Sequence, residues 1–170
     1  MNTDEAIEFL SKNQPMADDK DLDQETISTY NLVRTYFLTN YDERCVRLFL
    51  NSFGQGSGFG IYQLVEDVIE KYDKKIVVPQ LIEALKSKHK SVKYWSGQIA
   101  ASFPDKRLLE PLKSLLNSDD FELMSASAMA LAMIDDKSII EIFQKKLKDV
   151  EDKELKDLIK DILNDLQKGK

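Results

Sequence analysis

One cysteine, one histidine and one run of aspartates are the residues through which this chain could do nucleophilic, acid–base or metal chemistry. Cys45 precedes Val46, Leu48 and Phe49 in an apolar stretch. That is the setting of a buried, inert thiol, not of the electropositive and part-exposed site that makes a thiolate reactive. His89 stands between Lys88 and Lys90, with no Ser, Cys or carboxylate placed beside it by local spacing. It reads as a solvated side chain and not as a general base. Asp18-Asp19 with Asp21 and Asp23 suggests calcium, but the glycine and the closing glutamate of a calcium loop are missing from that spacing. A solvated acidic connector is the expectation. A single Cys and a single His leave no zinc spacing and no disulfide framework within the chain. No catalytic residue, metal site or cofactor is expected.

Two other segments carry binding potential. Gly54-Gln55-Gly56-Ser57-Gly58-Phe59-Gly60 gathers four of the six glycines into seven residues. It lacks the Gly-Lys-Ser/Thr ending of a phosphate loop, and neither its spacing nor a preceding strand fits a dinucleotide site. Two readings stay open. The segment is a long turn that needs φ > 0, or it is a contact loop with Phe59 and Tyr62 as anchors and Gln55 and Ser57 beside them. The second segment is Lys93-Tyr94-Trp95. Val92, Ser96, Ile99 and Phe103 define an inward stripe, so Tyr94 is expected to point outward and Trp95 to lie on the boundary. Trp95 either fills a groove between helices or anchors an interface, where aromatics beside Lys or Arg are enriched.

The elements that must hold these segments come from an internal repeat of 31 residues. Val92 to Lys106 falls on Leu123 to Lys137, pairing Val92 with Leu123, Phe103 with Ile134, and Asp105-Lys106 with Asp136-Lys137. Small residues coincide at Ser96/Ser127, Gly97/Ala128 and Ala101/Ala132, and Leu81 and Leu85 meet Leu112 and Leu116. Each unit reads as two helices with apolar residues three and four apart, joined by a polar turn. Pro79 and Pro111 are expected near the starts of first helices, with Pro104 and Asp135-Asp136 closing second helices. The second helices are expected at about 61–72, 92–103 and 122–134. At the front, Thr3 is expected to cap a short helix through Leu10, and a longer helix is expected over about 24–39. A half-unit cannot bury its stripe alone, so neighbouring pairs must stack. The fold class is therefore all-α, an α-solenoid of stacked antiparallel helix pairs.

The chain of 170 residues carries a net charge of −6, and that charge is unevenly placed. Residues 1–44 hold ten acids against four bases, and the remainder balances. The expected organisation is an acidic helical cap over 1–44 and a repeat body over 45–170 in one continuous domain. A balanced body disfavours a phosphate backbone, so no nucleic acid is expected. No run approaches the roughly 18 apolar residues of a membrane span, and the start MNTDEAIEFL is acidic where a secretory leader would be basic. A cytoplasmic protein without membrane contact is the expectation.

At 92–105 and 123–136 the chain resembles the HEAT-like repeats of the phycobilisome-lyase type. Lys93 and Met124 stand where that pattern has Arg, and Pro104 and Asp135 where it has Gly. The resemblance covers about residues 45–166 and implies the solenoid. It says little of activity, because such repeats occur in scaffolds, bacterial immunity proteins and a few enzymes. The resulting expectation is a non-enzymatic protein-binding module. Its concave face would be lined by Tyr62, Gln63 and Glu66, by Lys93, Tyr94, Gln98 and Ser102, and by Ser125 and Met129. The partner-binding set is Gln55, Ser57, Phe59, Tyr62, Lys93, Tyr94, Trp95 and Gln98, and the partner is another protein of basic character, as when an immunity protein blocks a toxin. An enzyme or enzyme subunit related to phycobilin lyases is the alternative. The sequence does not fix an oligomeric state.

Overall fold

Polar side chains set where the helices begin, because the first N–H groups of a helix have no partner within it. The computed structural model describes residues 1–168, and among them every regular element is helical. The chain divides into two compact units, Met1–Ser96 and Gly97–Lys170. The division falls inside one helix, Lys90–Ala100.

The first unit contains α1 (Thr3–Lys12), α2 (Gln24–Phe37), α3 (Arg44–Leu50), α4 (Glu66–Ile69), α5 (Lys74–Ala84) and the start of α6 (Lys90–Ala100). Asn2, not Thr3, caps α1: Asn2 Oδ1 accepts from the Glu5 N–H at 2.9 Å while Glu5 Oε2 accepts from the Asn2 N–H at 2.9 Å. Such a reciprocal box satisfies two free donors at once. Thr3 is left to share a hydrogen bond with the Tyr36 hydroxyl at 2.9 Å. α1 packs on α2 and α3, and Arg44 bridges Asp42 at 2.7 Å and Asp4 at 3.3 Å. Asp73 opens α5 by accepting from Lys75 N–H at 2.7 Å, so Pro79 lies inside that helix and not at its start.

The core of this unit is aromatic. Tyr30 meets Phe49 and Tyr62 edge-on, each at 5.8 Å between centroids, and Phe53 meets Tyr62 at 5.5 Å. Edge-to-face pairs of this kind add about 0.5–1.5 kcal/mol each beyond their area. Ser52 donates to the Phe49 carbonyl at 2.8 Å, which leaves its oxygen to accept from Tyr30 Oη at 2.7 Å. The expected helix over 61–72 is not continuous. A 3₁₀ turn, Tyr62–Val65, leads into the single turn of α4. Its first residues are instead held by the preceding loop, where Ser57 O accepts from both Gly60 N–H and Tyr62 N–H at 3.1 Å. Tyr62, Val65, Val68 and Ile69 are nevertheless fully buried, so the apolar pattern survives the change of helix type.

The second unit holds the end of α6, a 3₁₀ turn at Lys106–Leu108, α7 (Leu109–Leu116), α8 (Phe121–Ala132), α9 (Ser138–Asp149) and α10 (Lys153–Lys168). α7 packs on α8, α9 on α10, and α8 on α10. The Asp135-Asp136 pair does not close the second helix before it, which ends at Ala132. Asp105 accepts from Arg107 N–H at 2.9 Å and Asp136 from Ser138 N–H at 2.9 Å, so each opens the element that follows. Val92, Ile99, Phe103, Leu123, Ala130 and Ile134 are all buried, as the register requires. Small residues allow α6 to approach α8 closely. A Cβ on Gly97 would stand 3.2 Å from that of Ala126, and the Ser127 hydroxyl donates to the Leu112 carbonyl.

Candidate functional site

The glycine segment is fastened on both sides within the first unit. On one side lies the acidic connector between α1 and α2. Asp18 Oδ1 accepts from Gln55 N–H at 3.1 Å, Asp19 Oδ2 from Ser57 N–H at 2.9 Å, and Asp19 Oδ1 from Gly58 N–H at 2.9 Å. The backbones also join: Met16 N–H donates to Ser52 O at 2.8 Å and Asp19 N–H to Gln55 O at 2.9 Å. The connector is therefore not merely solvated, since its two adjacent carboxylates satisfy the orphan donors of a loop 37 and more residues away. A carboxylate on backbone N–H groups makes a charge-assisted bond, roughly twice as strong as a neutral one.

On the other side stands the first half of α6. Trp95 Nε1–H donates to Gly56 O at 3.1 Å and Ser91 Oγ–H to Phe53 O at 2.7 Å. From beneath, Tyr62 Oη accepts from Gly54 N–H at 3.2 Å. Two glycines are dictated by this fit. A Cβ on Gly54 would lie 2.3 Å from the Ala17 carbonyl oxygen, and one on Gly58, where φ is +57°, would lie 2.6 Å from the Tyr62 ring. Neither position has room for a side chain.

This clasp presents Phe59. The ring is 59% exposed, and at φ +51° Phe59 is the one described non-glycine residue in left-handed backbone. For a bulky residue that conformation costs on the order of 1–3 kcal/mol and persists only where surroundings impose it. Gln55 and Ser57 are exposed beside it in the same loop. Tyr62, expected as a second anchor, is fully buried and supports the loop from within. Burial pushes its hydroxyl up to about 12, so it stays protonated at neutral pH.

Trp95 is half-buried and stacks on Phe53 at 5.8 Å, with Tyr62 at 6.0 Å and Tyr94 at 5.2 Å edge-on. Its ring packs in the core and also reaches the surface. Tyr94 does not project freely as expected. It is half-buried because its ring leans on Trp95, and Lys93 is half-buried as well. Gln98 is half-buried and belongs to the second unit, as do the exposed Ser102 and Met129 and the half-buried Ser125. Gln63 is exposed and Glu66 half-buried. The structure thus gathers Gln55, Ser57, Phe59 and Trp95 around one loop, with Tyr94 leaning on Trp95, whereas Lys93 stands about 200° round α6 from Trp95. Asp18, Asp19 and Ser91 hold that loop, and no local spacing marks them.

The remaining chemical candidates are Cys45 and His89. Cys45 is buried and its thiol donates to Tyr72 Oη at 3.2 Å. Burial pushes its pKa up to about 12, which suppresses the reactive thiolate. His89 is half-buried, with its backbone N–H on Ser87 Oγ at 3.2 Å. Among the described residues no three His, Cys, Asp or Glu side chains converge as metal ligands, and no helix is long and apolar enough to cross a membrane.

A protein-family model described as HEAT repeats matches residues 78–163, from within α5 to within α10. With the all-helical architecture, this match makes the fold an all-α, solenoid-like repeat. No curated protein gives a match to the chain. The glycine loop precedes the matched segment.

Proposed function

The chain belongs to the HEAT repeat family, and from that premise we propose that it is a protein-binding module that performs no chemistry of its own. Helix-pair repeats of this kind serve as extended recognition surfaces. The observation that carries the reading is Phe59, exposed at φ +51° on a loop tied down from both sides. A rigidly presented aromatic ring contributes contact area while losing little entropy on binding. Gln55 and Ser57 supply polar contacts around it, and Tyr94 and Trp95 extend the patch across the residue that bonds the loop.

In this reading the partner is a basic protein, which the net charge of −6 on residues 1–44 attracts over a distance. Occupying such a partner, as an immunity protein occupies a toxin, is the narrower form of the proposal. Several of these acids also serve within the fold, Asp23 as a cap and Asp42 on Arg44. Their charge still contributes to the field.

A photo-crosslinking phenylalanine analogue at position 59 tests the reading in extract of the native host. One discrete covalent protein adduct is expected there, and none with the analogue at the exposed Glu83. No adduct at 59, or the same adducts at both positions, would remove the loop from the site.

A further inference from the structure

A charge taken out of water is ordinarily paired, because burying it alone is costly. In this chain the pairing runs the other way. Arg44 and Arg107, both exposed, each hold an aspartate, at 2.7 Å and 2.9 Å. Arg34, near the end of α2, is only 8% exposed and holds no carboxylate among the described residues. Its one hydrogen bond there runs from Nε–H to Asn31 Oδ1, a neutral acceptor, at 2.9 Å. The four N–H groups on its two terminal nitrogens are left over. So are the two of the Asn31 amide, which is half-buried and oriented by that same bond. The head is not sealed in the core, since the fully enclosed side-chain atoms without a partner among the described residues are Ser96 Oγ and Ser125 Oγ. It stands at a narrow opening. Its charge is felt at the Tyr30 hydroxyl, where burial raises the pKa and the cation opposes the rise. Acids nearby in sequence are committed elsewhere: Asp23 caps α2, Asp42 holds Arg44, and Glu43 accepts from Tyr41 Oη at 3.1 Å.

We propose that Arg34 and Asn31 form a binding site for a single carboxylate. A guanidinium offers two parallel N–H groups to two coplanar oxygens, and the Asn31 amide adds donors beside it. A carboxylate also carries the one negative charge that this cation balances. Dianionic phosphate would need a second cation. The other bases of residues 1–44 do not supply it, because Lys12 is taken by Glu8, Lys20 by Asp21 and Arg44 by Asp42. The carboxylate belongs either to a small organic acid or to a Glu or Asp side chain of another protein, since both present the same group. This proposal does not rest on the glycine-loop reading, with which it shares no residue.

The test uses the full chain with nitrogen-15-labelled arginine and follows the Nε–H resonance of Arg34, assigned by its loss in Arg34→Met. Acetate should shift that resonance to saturation. Acetamide, which has the same shape without the charge, should not, and inorganic phosphate at equal ionic strength should bind more weakly than acetate. A tripeptide with central Glu and both ends blocked separates the sources: tighter binding than acetate assigns the site to a protein side chain, weaker binding to a small acid. Arg34→Lys keeps the charge and loses the fork, so acetate should bind it about tenfold more weakly. Arg34→Met should melt no lower than wild type in chloride, because it removes an unpaired charge and not a paired one. Acetate should raise the melting temperature of wild type and leave that of Arg34→Met unchanged. The proposal is overturned by the absence of a saturable shift with acetate, by an equal shift with acetamide or by tighter binding of phosphate. An Arg34→Met chain that melts well below wild type in chloride overturns it as well, since the charge is then satisfied within the fold.

Discussion

Replacing Phe59 with Ala and, separately, with Gly isolates the backbone strain on which the presentation of that ring depends. Both variants lose the same ring, which is already 59% exposed, so the lost packing cancels in the comparison. What differs is the Cβ at φ +51°. Left-handed backbone costs an L-residue about 1–2 kcal/mol, and glycine escapes that cost. Glycine gives back about 0.4–1 kcal/mol through the greater freedom of its unfolded chain. The Gly variant should therefore be the more stable by about 0.5–1 kcal/mol, reversing the order expected at an ordinary position. For a chain of this size that is a rise of about 1–4 °C in melting temperature. Urea titrations with equal slopes would measure the same difference. An Ala variant as stable as the Gly variant, or more so, would mean that the loop does not hold residue 59 in left-handed backbone.

Other outcomes follow from the same geometry. Asp19→Ala strips two backbone N–H groups of their acceptor and should destabilise the chain by about 1–2 kcal/mol in denaturant melts. Gly54→Ala should cost more, ~2–3 kcal/mol, because the opposing atom is a carbonyl oxygen of the backbone that cannot rotate away. The Asp136 carboxyl is lowered from its ordinary 3.8 to about 2, first by the Ser138 hydroxyl and backbone N–H and then by Lys106. A carboxyl depressed in the folded state adds stability above its unfolded pKa and loses it as pH falls through the folded value. Acid titration of wild type should thus show a loss between about pH 4 and pH 2 that Asp136→Asn reduces. Cys45 should resist thiol reagents at pH 8 in the folded chain and react fully in denaturant, since burial raises its pKa to about 12.

Periodicity made the second unit legible in advance. The 31-residue register placed Ile99, Leu123, Ala130 and Ile134 in the core because apolar spacing along a helix is a local property. It also located the glycine loop as the break in the pattern. What it could not supply was tertiary. Asp18 and Asp19 meet their N–H partners across a separation in sequence that no motif encodes, and an Asp pair in a polar stretch looks the same whether solvated or clamping. Tyr62 read as an anchor because it borders the loop, but its ring was needed by Tyr30 and Phe53 in the core. Pro79 and the Asp135-Asp136 pair were placed a few residues away from their roles, since caps compete and one hydrogen bond decides between neighbours.

The most direct test of the account is the binding kinetics of the Phe59→Ala chain against the partner identified by crosslinking at position 59. The chain is captured on a surface, and a thermal melt confirms that the variant is folded. Dissociation should speed by about tenfold or more, because the ring anchors the bound state. Association should stay near the wild-type rate and slow as salt is raised, because it is steered by the acidic N-terminal residues. A folded Phe59→Ala chain that releases the partner at the wild-type rate would contradict the claim that this loop is the contact surface.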